Sequence, residues 1–211
     1  MIQKIKKNLS RIRRSLFNSN KADWYCKFLT KEDCVFAGNE SGLRIEYNNY
    51  KETVRWLISH NNKFPWIYNP KEIKSAEKYN HLYLSLKYND AIIGYIKIAV
   101  AAKVYIVDYE DDIALKNDEA FIYDTFILPD FRGKQLGSFI LCNILSKLRT
   151  DGILFVFCHI PEWNKASSRL YQNMGFKRIS NVRYLRLFNF RYFSNRPDFV
   201  KETGRRLFTN V

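Results

Sequence analysis

Phe121-Ile122-Tyr123-Asp124-Thr125-Phe126-Ile127-Leu128-Pro129-Asp130-Phe131-Arg132-Gly133-Lys134-Gln135-Leu136-Gly137-Ser138 changes character twice along its length. A run of β-branched and aromatic residues, the composition of a strand, ends at Pro129. Arg132, Gly133 and Lys134 follow in a short loop, and an apolar pattern of helical period begins at once: Leu136, Phe139, Ile140, Ile144, Leu145 and Leu148. Strand, basic glycine-containing loop, helix is an order that makes an anion site. The first N–H groups of a helix have no partner within it, and the macrodipole adds partial positive charge at that end. A phosphate or pyrophosphate is held there largely by backbone. Gly133 and Gly137 let the backbone come close to such a ligand and to the preceding strand. An ordinary strand-to-helix connection reads the same way, so context decides.

The context lies further along. A second strand-like run, Ile153-Leu154-Phe155-Val156-Phe157-Cys158-His159, is followed by Asn164-Lys165-Ala166-Ser167-Ser168-Arg169-Leu170-Tyr171-Gln172-Asn173-Met174-Gly175-Phe176. Together the two segments resemble the motifs of the GCN5-related N-acetyltransferase (GNAT) superfamily. Arg/Gln-x-x-Gly-x-Gly/Ala is met by Arg132-Gly133-Lys134-Gln135-Leu136-Gly137, departing at Gln135, where glycine is usual. Asn-x-x-(Ala/Ser)-x-x-(Leu/Phe)-Tyr-x-x-x-Gly-Phe is met nearly throughout by Asn164 to Phe176. The resemblance covers residues 80–190 well and the first 80 poorly.

The resemblance implies an α/β fold: a single-domain, mixed, mostly antiparallel central sheet flanked by helices and splayed at the acyl-CoA site. It implies acetyl-CoA as co-substrate, no metal, and an amine acceptor on a small molecule or a protein, attacked directly at the thioester. Acyl-CoA contacts are implied for the backbone near Ile127 and Leu128, for Arg132, Gly133, Lys134, Gln135, Leu136, Gly137 and Ser138, and for Asn164 and Ser167. Tyr171 occupies the position that resembles the family's general acid. A phenol of pKa about 10 is protonated at neutral pH and can meet a thiolate as it leaves. Ser167, Leu170 and Met174 are expected as the apolar face of its helix. For the base, His159 and Asp124 stand level, with Glu162 and a water chain as rivals; an imidazole near pKa 6.5 suits the task, while a lone histidine among apolar neighbours is commonly structural. The competing reading is a non-catalytic module of the same fold that binds acyl-CoA as a sensor or regulator.

The chain's 211 residues, 46% hydrophobic, suffice for one sizeable core. Cys26, Cys34, Cys142 and Cys158 show no Cys-x-x-Cys spacing, which argues for reduced thiols in a cytoplasmic protein and against a zinc site or a disulfide framework. The longest apolar run, Ala91 to Ala102, is short for a membrane span and contains Lys97. Three parts are expected: a basic amphipathic helix over 1–20, the acetyltransferase domain over 21–190 and a basic tail without clear period over 191–211.

Net charge is +14. Residues 1–20 contribute Lys4, Lys6, Lys7, Arg11, Arg13 and Arg14 with no acidic residue, and Ile2, Ile5, Leu9, Ile12 and Leu16 fall on one helical stripe. Such a helix suits an anionic membrane surface at the inner face, or is a docked helix with solvated cations. Nucleic acid is disfavoured, because the basic residues lack interleaved aromatics. Between these ends, Asp23 to Leu29 and Gly42 to Tyr47 read as strands, and Tyr50 to His60 as a helix with Val54, Leu57 and Ile58 inward. Lys71 to Lys78 reads as a short helix. His81 to Lys87 and Ala91 to Ala99 read as strands joined at Asn89-Asp90. Val104 to Tyr109 is expected to extend the sheet and Glu110-Asp111-Asp112 to be a loop. Phe176 to Ile179 and Arg183 to Phe190 are expected as separate final strands. The family resemblance implies that this region shapes an acceptor pocket, which makes Trp56, Trp66 and Tyr68 candidate walls of it, with aromatic core filling as the rival reading.

Overall fold

The computed structural model describes residues 17–30, 42–47, 49–188 and 190–209. Ten strands are formed among these residues: β1 (Phe17–Phe28), β2 (Leu43–Glu46), β3 (Leu82–Tyr88), β4 (Ala91–Val100), β5 (Lys103–Ile106), β6 (Asp111–Ala114), β7 (Glu119–Ile127), β8 (Phe155–Pro161), β9 (Lys177–Leu187) and β10 (Phe190–Phe193). Among the described residues five helices accompany them: α1 (Tyr50–His60), α2 (Pro70–Lys78), α3 (Leu136–Thr150), α4 (Lys165–Asn173) and α5 (Pro197–Thr209). Eight strands make one sheet in the order β10-β9-β1-β8-β7-β4-β3-β2. Among the described residues only β7 and β8 run parallel and every other pair is antiparallel, so the mixed sheet expected from sequence is present.

Local chemistry accounts for the central elements. Asn89 and Asp90 carry φ of 46° and 66°, the left-handed pair that a two-residue hairpin turn between twisted strands requires. Strands β3 and β4 are buried on both faces, and their sequences are correspondingly apolar almost throughout. On one face Ile96, Ile98, Ile122 and Val156 pack on Ile140, Ile144, Leu145 and Leu148 of α3. On the other, Trp24, Phe121, Phe157 and Val182 pack with Val200 of α5. Further along that face Leu57 and Ile73 of α1 and α2 cover Tyr95 and Phe126. Cys26, Cys142 and Cys158 are free and buried, and Cys34 lies outside the described residues. Among the described residues no helix is long and apolar enough to cross a membrane.

Several expectations are corrected. Strand β1 begins at Phe17 and sits between β8 and β9, so residues 17–20 belong to the sheet and not to a basic helix; residues 1–16 lie outside the described residues. Asn20 shows why the strand extends so far, since its side chain donates to the Asp108 carbonyl at 2.7 Å. Residues 103–106 do not extend the main sheet but pair with Asp111–Ala114 in a separate two-stranded ribbon, which also places Asp111 and Asp112 in a strand. The two expected final strands are one, β9, with a register shift opposite Trp24/Tyr25. Ile58 is 54% exposed, and it is Thr53 and Leu57 that α1 buries. The C-terminal region is no irregular tail: α5 inserts Lys201 against Glu119 at 3.2 Å and sets Arg205 on Asp118 at 2.9 Å. Gly204 is required there, because a Cβ would stand 3.2 Å from Phe157 and 2.9 Å from Ile179.

His81 ties the ribbon to the sheet. Its Nε2 lies 2.8 Å from the Lys103 carbonyl and must donate, so Nδ1, 3.1 Å from the Tyr123 hydroxyl, accepts from it. Burial depresses the pKa of this neutral imidazole. A depressed histidine contributes stability that is present above its unfolded value of about 6.5 and is lost as pH falls below it. Urea unfolding at about pH 7.5 and about pH 5.5 should therefore show the wild type losing up to about 1 kcal/mol more than His81→Gln on acidification. An identical loss in both proteins contradicts the assignment.

Candidate active site

Strands β7 and β8 pair only from Glu119↔Phe155 to Ile122↔Cys158. Beyond that point β7 stays on β4 as far as Ile127↔Gly94, and β8 stays on β1 as far as Pro161↔Ala22. The strands part like a fork, leaving residues 123–127 of β7 unpaired on the side of β8. The parting coincides with a bulge: Lys97 pairs with Asp124 but Ile98 with Ile122, so Tyr123 is the extra residue. Bulges bend a strand and increase its twist. Leu128 N–H is spent on the Ile93 carbonyl at 2.8 Å, and alternation along the strand turns the backbone groups of Ile127 and Thr125 into the fork. Of the two residues expected to offer backbone there, Ile127 does. Its carbonyl at present accepts Arg132 Nε at 3.0 Å, with the guanidinium over the Phe126 ring.

The loop after β7 is exposed from Arg132 to Gln135. Gly133 has φ 79° and Gln135, the N-cap of α3, has φ 58° with no side-chain cap bond. The usual glycine is thus replaced at a position that still demands the left-handed conformation. The N–H groups of Leu136, Gly137 and Ser138 open α3, whose first intrahelical bond runs from Phe139 to the Gln135 carbonyl. A Cβ on Gly137 would lie 3.0 Å from Leu170 Cδ2, so this glycine serves the close approach of α3 to α4. Beside the loop is a small pocket lined by Leu43, Tyr88, Ile93, Phe131, Lys134 and Leu136.

Asn164 caps α4 by accepting from the Ser167 N–H at 3.2 Å, which leaves its amide NH₂ for other work. The residues α4 buries are Ser168 and Tyr171, while Ser167, Leu170 and Met174 are each partly covered. The Tyr171 hydroxyl lies 3.0 Å from Thr125 Oγ1, three residues beyond the last β7–β8 pair, and thereby spans the fork from α4 to β7. Burial, with Cys158 nearby, pushes the Tyr171 pKa well above the ordinary phenol value, although the Thr125 bond works against it.

Asp124 points to the opposite face. Its Oδ2 accepts the Tyr95 hydroxyl at 2.8 Å and Lys97 Nζ at 2.9 Å. Lys97 is wholly buried and also meets Glu72 at 2.8 Å and the Ile67 carbonyl at 3.0 Å. Burial works against that ammonium, but Asp124 and Glu72 outweigh it and hold its pKa up; burial likewise raises Glu72. The Asp124 side chain is 28% exposed, and no hydrogen bond to Oδ1 is formed among the described residues. His159 sits elsewhere, among Trp24, Phe121 and Tyr109, with Nε2 3.1 Å from Asp108 Oδ2 and Nδ1 without a hydrogen-bond partner among the described residues. Burial would raise Asp108, but the His159 hydrogen bond and charge draw it below the usual carboxylate range. Glu162 is committed to Lys21 at 2.6 Å, and Glu110 to Arg186 at 2.8 Å. Trp56 packs on Tyr95 and Phe126, on the face that carries Asp124, while Trp66 is 71% exposed.

Tyr171, the Ile127 backbone and the 132–138 loop thus stand at the fork, Asp124 stands on the other face of β7, and His159 is left in its own aromatic box. Sequence reasoning missed Thr125, which no period marks, and the role of Lys97, whose signal was its presence inside an apolar run.

A family model described as acetyltransferase (GNAT) family matches residues 46–176. A ribosomal protein bS18-alanine N-acetyltransferase of Haemophilus influenzae is 27% identical over 115 residues, 54% of this chain and 66% of that protein. The enzyme of the same name from Salmonella typhimurium is 30% identical over 63 residues, 30% of this chain and 43% of its own length. These matches thus span less than two thirds of either relative. Among solved structures, a GCN5-related N-acetyltransferase from Kribbella flavida superposes with a TM-score of 0.52 at 8% identity, covering 85% of this chain and 63% of that one, a likeness of fold.

The left-handed Gln135 generates a direct expectation. A non-glycine residue costs about 1–2 kcal/mol in that conformation, of which glycine's greater chain entropy takes back about 0.5–1 kcal/mol. Gln135→Gly should raise stability in denaturant by about 0.5–1 kcal/mol; a loss of that size contradicts the strain.

Proposed function

This chain belongs to the acetyltransferase (GNAT) family, and from that premise we propose that it transfers the acetyl group of acetyl-CoA to a primary amine. The observation that carries the reading is the Tyr171 hydroxyl held by Thr125 inside the fork. The open edge of β7 can take the pantetheine arm as an added strand through the backbone of Thr125 and Ile127, with the free amide of Asn164 beside it. Arg132, Lys134 and the N–H groups opening α3 suit the diphosphate. The aromatic pocket beside Lys134 supports the same placement.

Chemistry then divides between the two faces. As the amine attacks the thioester carbonyl, its nitrogen must lose a proton and the departing sulfur must gain one. Tyr171, kept protonated by its raised pKa, supplies the second. Asp124 is the better placed of the two base candidates, because Lys97 and Tyr95 occupy only Oδ2 and Oδ1 is left for the acceptor's ammonium. His159 is engaged by Asp108. The acceptor approaches along α1 and α2, past Trp56, Trp66 and Tyr68. The two relatives are named for the alanine of a ribosomal protein, which supports a protein amine as one acceptor class; a small-molecule amine fits the same site.

Thiol release from acetyl-CoA against a panel of amines tests the reading. Turnover should fall about 100-fold or more in Tyr171→Phe with acetyl-CoA affinity retained. Because the Tyr171 pKa is raised, no alkaline limb belonging to it should appear below about pH 10. Acyl-CoA binding with no turnover on any amine, and no effect of Tyr171→Phe, overturns it in favour of a sensor.

A further inference from the structure

Both cations of the loop after β7 are folded back onto aromatic rings. Arg132 Cζ lies 5.6 Å from the centre of the Phe126 ring, and Lys134 Nζ lies 5.5 Å from that of Phe131. Neither meets a carboxylate among the described residues. Arg132 does one thing more, since its Nε donates to the Ile127 carbonyl at 3.0 Å. Leu128 takes the bond to β4, so the Ile127 carbonyl is one of the groups turned to the side that β8 has left. A charged side chain without a counterion thus occupies the open edge of β7.

That position puts one residue in two places that the acyl donor needs. An extended arm laid along β7 runs about 4.8 Å from the strand, through the volume that the Arg132 side chain fills. A carbonyl oxygen has two lone pairs, but the donor to this one stands on the fork side with the guanidinium beyond it over Phe126. The arm therefore displaces Arg132 before it can use the Ile127 oxygen. A diphosphate at the start of α3 offers Arg132 a better partner. Guanidinium–phosphate contacts are commonly bidentate with charge on both sides, and they outcompete a single bond to a neutral carbonyl.

We propose that Arg132 is an internal plug of the β7 edge, drawn off by the diphosphate of the acyl donor, so that the two ends of one CoA molecule help each other to bind. The proposal rests on the acyl-CoA reading of the fork given above. In the empty protein the plug satisfies a carbonyl that the bulge would otherwise leave without a partner. An arm without a diphosphate has to break that bond with nothing to hold the released cation. An arm with one exchanges it for a stronger contact. Release also uncovers the Phe126 ring, which stacks on Tyr95, the residue whose hydroxyl donates to Asp124. Filling the donor site in this way clears a wall of the face that carries the carboxylate.

Isothermal titration of the full chain with pantetheine, the arm without its diphosphate, and in parallel with CoA reads the two ends separately. Arg132→Ala should bind pantetheine about three- to tenfold more tightly than the wild type does, the worth of one hydrogen bond no longer broken, while its affinity for CoA falls. Arg132→Ser should shift both affinities in the same directions. Residue 132 is exposed, and an unchanged melting temperature shows that each variant is folded. A side chain that only grips the diphosphate would weaken CoA and leave pantetheine alone. Pantetheine affinity unchanged or lowered in the variants, with CoA still bound by the wild type, therefore overturns the plug and leaves the acyl-donor reading standing. Failure of the wild type to bind CoA overturns both.

Discussion

One surplus residue in β7, Tyr123, sets the geometry on which the site depends. Up to Ile122 the strand is shared between β4 and β8; after the bulge it keeps β4 and releases β8. The released edge is costly, since unpaired backbone groups lose a hydrogen bond each unless something replaces it. Neighbours hold the distortion in place. The Tyr123 ring is fixed by His81, itself locked to the β5–β6 ribbon, while β8 is drawn the other way by its long pairing with β1. The fork is thus a product of competing ladders, and the groups it exposes are those a peptide-like ligand would satisfy.

On either side of the fork the chain handles charge differently. The Tyr171 side is dry and neutral, a phenol among Cys158, Phe176 and Thr125, where burial favours the protonated form. The Asp124 side holds a buried lysine between two carboxylates. Such an arrangement costs desolvation and stands only because each charge is paired. Its structural effect is to keep Asp124 directed outward with one oxygen uncommitted. A proton donor and a carboxylate on adjacent residues of influence, Thr125 and Asp124, follow from the alternation of a single strand.

Much of this was legible in the sequence because it is local. The strand–loop–helix run from Glu119 to Thr150, the Asn164 cap and the Asn89-Asp90 turn are written in contiguous residues. What was not legible is non-local. Nothing near Phe17 announces pairing with Leu187, and basic residues just upstream favoured a helix reading through Asn20. The C-terminal helix was missed because its inward residues, Val200, Lys201 and Gly204, include a lysine that finds Glu119 only in the fold. The ring of His159 was visible as a titratable group, but its partner Asp108 stands on the turn after β5, far away in sequence. Likewise Gln135 was noted as a departure from the motif, while only the backbone reveals that glycine's conformation is retained there.

The central claim is that the edge of β7 left open by the bulge receives the arm of the acyl donor. Hydrogen–deuterium exchange with and without saturating CoA reads this edge directly. The account predicts slowed exchange at the amides of Thr125 and Ile127, together with those of Leu136, Gly137 and Ser138. Protection of the helix start with no change between Tyr123 and Ile127, or no protection in either, contradicts it.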